Sequence, residues 1–166
     1  SWAAGASLAV RAGAAERTLE APAGDYVEVP GTLSAGDTVT LSLPIAPRLT
    51  AADARVDATR GTLAVERGPV VYCLESTDLA AAGIAPVDDD LSLVRLDQRD
   101  GVADEGGAVM ASIAIAEEPS GGWPYRAAAH TDATPGKAHR VRLTPYHSWA
   151  NRGPSTMRVW IPISGT

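Results

Sequence analysis

Short runs that alternate apolar and polar residues with a period of two, each cut off by Gly or Pro, constrain this chain more than any other feature. In Thr38-Val39-Thr40-Leu41-Ser42-Leu43 the aliphatic side chains fall on one side and the hydroxyls on the other. Leu63 and Val65 alternate with Thr62, Ala64 and Glu66, and Val141 and Leu143 alternate with Arg140 and Arg142. Met157, Val159 and Ile161 share one face, opposite Thr156, Arg158 and Trp160. Period two is the spacing of side chains along a strand, so each run predicts a half-buried strand. The Ala content of residues 108–117 would suit a helix, but Val109, Ala111, Ile113 and Ile115 keep period two, and a strand is expected. Pro69 to Leu74 is apolar throughout, as a central strand covered on both faces would be.

Turn signals fall between the runs, at Pro30-Gly31, Ala35-Gly36-Asp37, Gly68-Pro69, Gly121-Gly122 and Gly153-Pro154. Short strands so punctuated predict an all-β fold, a two-sheet antiparallel β-sandwich of jelly-roll-like kind with little helix. Helical turns are expected only at Ala51-Ala52-Asp53 and Ala80-Ala81-Ala82. Residues 80–90 and 121–137 lack periodicity and read as loops. Pro44-Ile45-Ala46-Pro47 interrupts pairing, which places a boundary within 49–56 and divides the chain into residues 1–50 and 51–166.

With 166 residues, 45% of them hydrophobic, the chain is long enough for one good domain or two small ones. Fourteen basic against twenty acidic residues leave a net charge of −6, which argues against nucleic acid as a partner. No run approaches the length of apolar sequence that spans a membrane. The compartment, cytoplasmic or secreted, stays open. Abundant Ala, Arg and Asp resemble the usage of a GC-rich bacterial genome.

Catalytic signals are sparse. Cys73, the single cysteine, lies in an apolar run and reads as a small buried hydrophobe. His130, His139 and His147 lack the close pairing that puts two metal ligands on one face. Asp88-Asp89-Asp90 can supply oxygen ligands to calcium, but a solvated loop is the preferred reading of the run. Glycoside hydrolysis needs two opposed carboxylates, and nothing pairs Glu66, Glu75, Glu117 or Glu118; Glu66 reads as solvated surface. Trp123 and Tyr125 in one loop, and Tyr146, His147, Trp149, Asn151 and Arg152 in another, are equipped to bind carbohydrate or to plug a domain interface. Trp160 sits on the polar side of its run, where an apolar ring marks a contact face. In the Asn151-Arg152-Gly153-Pro154 turn, Asn151 suits a left-handed backbone and Arg152 can tie loops together.

Two dense segments carry a family likeness: Ala64 to Glu75, ending in Arg67-Gly68-Pro69-Val70-Val71-Tyr72-Cys73-Leu74-Glu75, and Pro145-Tyr146-His147-Ser148-Trp149-Ala150-Asn151-Arg152-Gly153. With Gly36-Asp37, Leu43-Pro44 and Pro47-Arg48, they resemble the C-terminal β-sandwich region of glycoside hydrolase family 127, the β-L-arabinofuranosidases. The resemblance implies a parent enzyme whose zinc and cysteine nucleophile lie in a separate helical (α/α) barrel. No position here matches those motifs, so no catalytic residue, metal ligand or cofactor is assigned to this chain. It implies instead a non-catalytic scaffold whose partner is that barrel, with a homo-oligomer interface or a free-standing arabinoside-binding module as further readings. Residues 1–50 are then the remnant of a preceding β-sandwich.

Overall fold

The computed structural model describes residues 2–84, 91–98, 101–116 and 136–163. They form two compact units, Ser1–Ala46 and Pro47–Thr166.

The first unit is a three-stranded antiparallel sheet. β1 (Ser7–Ala12) lies between β2 (Ala15–Glu20) and β3 (Thr38–Ser42). Gly13, with φ of 59°, makes the tight β1–β2 turn that a side chain would disfavour. Its N–H donates to Asp37 Oδ1 at 3.0 Å, and Asp37 Oδ2 accepts the Ser34 N–H at 2.8 Å. One carboxylate thus holds the β1–β2 turn and the entry to β3 together. Register places Leu19, Leu8 and Leu41 in one row and Val10 beside Val39 in the next. Leu8 and Val10 are buried, but β3 is exposed along its whole length, with Leu41 at 54%. The expected half-buried strand therefore forms as a strand whose aliphatic side chains stay open to solvent. The period specifies which way side chains point; cover must come from a second layer.

The second unit is the predicted all-β sandwich. In one sheet, β4 (Pro47–Ala51), β5 (Thr62–Arg67) and β6 (Val70–Glu75) pair in sequence, and β11 (Thr144–Pro145) extends β6. The β5–β6 hairpin turns at Gly68-Pro69, with Gly68 at φ 55°. The other sheet is built on β9 (Ala108–Ile115), with β10 (His139–Arg142) on it and β7 (Val94–Leu96) and β8 (Val102–Glu105) pairing its two ends. The strand reading holds for Ala108–Ile115. Between the sheets, Val65, Leu74 and Ile161 meet Val94, Leu96, Val109, Ala111, Ile113, Val141 and Leu143 in one core, with Leu79 packed into it. Arg67 adds a polar tie, bonding Asp104 at 2.7 Å and the Gly107 carbonyl at 3.0 Å.

Four local expectations are corrected. Residues 156–161 are not one strand: β12 (Met157–Arg158) pairs with β6 at Leu74 and Glu75, and β13 (Ile161–Pro162) pairs with β5 at Leu63 and Thr62. The segment changes partner beyond the stretch where β5 and β6 pair with each other, and Val159 and Trp160 make the crossing, both half-buried. Trp160 therefore does not stand on the polar face of a regular strand. Helix α1 runs Ser76–Ala81, so Ala80-Ala81 closes a helix that begins upstream. Ala51 ends β4, and the short 3-10 turn falls instead at Asp57–Thr59. Glu66 is not solvated surface: half-buried, it pairs with Arg48 directly across the β4–β5 ladder and accepts the Thr50 hydroxyl at 2.9 Å.

Ile113 is fully buried at the centre of β9. Ile113→Ala should lower the unfolding free energy by about 3 kcal/mol through lost transfer energy and a residual cavity. Denaturant titration checks this; a loss below about 1 kcal/mol would mean that the core between the sheets is not packed as described.

Candidate functional site: the Tyr146–Arg152 turn and its buried carboxylates

The two segments that carry the family likeness lie some seventy residues apart in sequence and meet at one place. Thr144 and Pro145 pair with Cys73 and Tyr72, and Met157 and Arg158 pair with Glu75 and Leu74. The intervening residues 146–156 arch over the end of β6, where an apolar strand terminates in a carboxylate. Glu75 is completely buried and Asp78 nearly so.

Both acids have structural duties at the strand-to-helix junction. Glu75 is the N-cap of α1, and Asp78 Oδ2 accepts the Glu75 N–H at 3.1 Å, closing a capping box. Arg152 then reaches in from the arch. Its Nη1 donates to Asp78 Oδ1 at 2.8 Å, and its Nη2 to Glu75 Oε2 and, at 2.7 Å, to the Thr144 hydroxyl. One guanidinium cannot neutralise two carboxylates, so the remaining negative charge needs dipoles. Glu75 Oε1 accepts the Ala150 N–H at 2.7 Å and the Ser155 hydroxyl at 3.3 Å. Burial pushes Glu75 toward protonation, but the Ala150 N–H and Arg152 outweigh it and hold the carboxyl below its ordinary value. Hydrogen bonds to Asp78 and Glu75 hold Arg152 firmly protonated, raising it above an ordinary guanidinium.

Cys73 lies against the same network. Its thiol is buried, donates to the Thr144 carbonyl at 3.5 Å, and is pushed up to about 11 by desolvation and by the charges of Glu75 and Asp78. A nucleophile or zinc ligand must be a thiolate, and this environment opposes one. Among the described residues no three His, Cys, Asp or Glu side chains gather as metal ligands.

Above this network the chain makes a 3-10 turn, Tyr146–Ser148, closed by the Trp149 N–H donating to the Tyr146 carbonyl at 3.1 Å. Tyr146 and Trp149 remain 48% and 41% exposed, and His147 and Asn151 are exposed beside them. The left-handed residue is Ala150, with φ of 61°, not Asn151 as the Asn-Arg-Gly signal suggested. Ala accepts this strained conformation because its N–H is thereby aimed at Glu75. Of the sequence candidates, the structure brings Tyr146, His147, Trp149, Asn151 and Arg152 together on one turn; Trp160 lies at the β12–β13 crossing, and Trp123 and Tyr125 fall outside the described residues, as do the Asp88–Asp90 run and Glu117-Glu118. The roles of Glu75 and Asp78 were missed because neither Glu at an N-cap nor a charge ending an apolar run is a usual signal.

Two substitutions should act in opposite directions. Arg152→Ala leaves two buried carboxylates without their cation and should cost about 2–3 kcal/mol, at the low end for a buried pair because the guanidinium is itself partly exposed. Ala150→Gly keeps the N–H donor, relieves the left-handed strain and should gain about 0.5–1 kcal/mol. Because the Glu75 carboxyl is held below its ordinary value of 4.5, its contribution is complete above that pH and lost as pH falls through the lower folded value. Melting temperatures measured from pH 7 to pH 3 should therefore fall in the wild type and converge on those of Arg152→Ala; parallel curves would refute the coupling.

A family model described as the glycoside hydrolase family 127 C-terminal domain matches residues 47–162. A non-reducing end β-L-arabinofuranosidase of Bifidobacterium longum subsp. longum is 34% identical over 146 residues, 77% of this chain and 20% of that protein. The chain thus spans about a fifth of the curated relative it matches. Among solved structures, a protein described as a glycoside hydrolase superposes with a TM-score of 0.77 at 29% identity, over 99% of this chain and 26% of the other. A family 127 β-arabinofuranosidase superposes at 0.64 and 25% identity, over 95% and 23% of the two chains. A β-L-arabinofuranosidase from Geobacillus stearothermophilus T6, at 0.58 and 21% over 98% and 25%, shares the fold. Two motif segments closed onto one another by Arg152, within a sandwich whose span coincides with the family model, make the conclusion plain: the chain belongs to glycoside hydrolase family 127, and its residues 47–162 are that family's C-terminal domain.

Proposed function

We propose that this chain is a non-catalytic scaffold of a larger glycoside hydrolase, packing on a catalytic (α/α) barrel of the same polypeptide, with the zinc and nucleophile of that enzyme in the barrel. The substrate class of the parent follows its relatives: terminal β-L-arabinofuranosyl groups. The observation that carries this reading is the engagement of the chain's own reactive groups in holding its fold. Glu75 and Asp78 are occupied by Arg152 and by backbone and hydroxyl donors, and the Cys73 thiol is buried and held protonated. A general acid must exchange a proton with solvent or substrate at working pH, which a fully enclosed, hydrogen-bonded carboxylate is not placed to do.

A scaffold also needs a surface to pack with. Val39 and Leu41 on β3, and Leu43 and Ile45 just beyond its end, are each at least 40% exposed, and they alternate in sequence as a row of aliphatics. Such a row is characteristic of a face awaiting a partner layer. We assign residues 1–46 to a preceding sandwich whose remaining strands cover it, since Pro47–Ala51 pairs with β5 in the C-terminal domain.

Purified as it stands, the chain should release no aryl alcohol from an aryl β-L-arabinofuranoside, with or without added zinc. In a full-length family 127 hydrolase carrying this region, Val39→Ser with Leu41→Ser should lower the melting temperature by several degrees. Turnover by the chain alone, or a full-length enzyme indifferent to the double substitution, would sink the scaffold reading.

A further inference from the structure

We propose that the exposed face of the Tyr146–Asn151 turn is a saccharide-binding platform, on which Tyr146 and Trp149 stack against a sugar ring while His147 and Asn151 bond its hydroxyls. Three observations point there. Tyr146 opens the 3-10 turn and Trp149 caps it, three residues on, with the Trp149 N–H bonded to the Tyr146 carbonyl at 3.1 Å, so the two aromatic residues are held close together. Both keep much of their ring surface in water, although Tyr and Trp lose a large apolar payload when left exposed. Between and beside them stand His147 and Asn151, exposed, and residues 145–154 contribute no aliphatic side chain larger than Ala and Pro.

That composition separates this surface from the Val39–Ile45 row. A protein layer would be met by aliphatics, which the row supplies and the turn lacks. A pyranose or furanose ring instead offers a C–H face for an aromatic ring and a rim of hydroxyls for imidazole and amide groups. The turn is also held in advance of any ligand. The Ala150 N–H is fixed on Glu75, the left-handed backbone is imposed by that bond, and Arg152 is anchored on both carboxylates. Little ordering would remain to be done on binding, which favours even a small, weakly bound ligand. The platform resides wholly in the C-terminal domain, and it requires that the packing proposed above leave this turn uncovered.

The test is titration of the chain with methyl β-L-arabinofuranoside, and with D-glucose and D-xylose as alternative rings, followed by the indole N–H signals in proton–nitrogen spectra. One indole signal should shift saturably with a dissociation constant on the order of 10 mM or below. That signal should be the one missing in Trp149→Ala, which should also weaken binding about tenfold or more, whereas Trp149→Phe should retain most of it. Dispersion of the remaining signals verifies that each variant is folded. No saturable shift with any of the three sugars, or a shift that survives in Trp149→Ala, would overturn the proposal. Burial of Tyr146 and Trp149 in a full-length family 127 enzyme, read as their protection from hydroxyl-radical footprinting without sugar, would also overturn it by assigning the turn to a protein interface.

Discussion

Arg152 placed against two buried acids is the interaction on which the C-terminal domain is organised. Glu75 and Asp78 would each be costly where they are, one at the end of an apolar strand and the other in the first turn of α1. Their burial is tolerable because a single guanidinium, the backbone N–H groups of Ala150, Glu75 and Asp78, and three hydroxyls converge on them. Those donors come from Ala150, Arg152 and Ser155 on the arch, from Thr144 on β11, and from Thr77 and the backbone at the start of α1. The arch cannot leave without stranding the charges, and the charges cannot be neutralised without loosening the arch. A hydrophobic trio of similar volume would fill the space, but it would not fix which backbone N–H points where, and so would not set the turn's conformation.

This explains how a domain with few long strands keeps its registry. β11, β12 and β13 contribute two residues each, too few for ladder hydrogen bonds to specify pairing alone. Thr144 is both a β11 residue and an Arg152 partner, and Glu75 is both a β6 residue and the partner of Met157. Once Arg152 is seated, β11 and β12 are delivered to β6 in one register. β13 then reaches β5, and Ile161 drops into the core beside Val65.

Much of the fold was legible in sequence because period two reports directly on which side chains share a face. The β9 strand, the β5–β6 hairpin at Gly68-Pro69 and the buried pair Val141 and Leu143 all follow from it. The pattern failed where its assumption of a continuous ladder failed. Met157, Val159 and Ile161 keep the period across a change of partner, and Thr38 to Ser42 keeps it without cover. In the candidate site, Arg152 as a tie between loops could be read from the motif, but its partners could not. Nothing local marks Glu75 as buried, because its burial depends on a residue 77 positions away. The left-handed residue was misplaced for a related reason. Propensity favours Asn, whereas here the conformation is imposed on Ala150 by the bond its N–H makes.

The two exposed surfaces of the chain obey different physics, and that difference bears on how such a domain serves a hydrolase. The Val39–Ile45 row is flexible in what it accepts: any apolar layer of matching pleat would bury it, and its contribution scales with area. The Tyr146–Trp149 turn is the reverse, small in area but fixed in conformation by bonds to charges beneath it. Large yielding surfaces suit permanent packing within one chain, where association entropy has already been lost in the covalent connection. Small rigid ones suit reversible ligands, for which each immobilised rotor counts against a modest gain. A strained residue held by a buried acid is worth retaining only if the conformation it enforces is used, and the turn it enforces faces water.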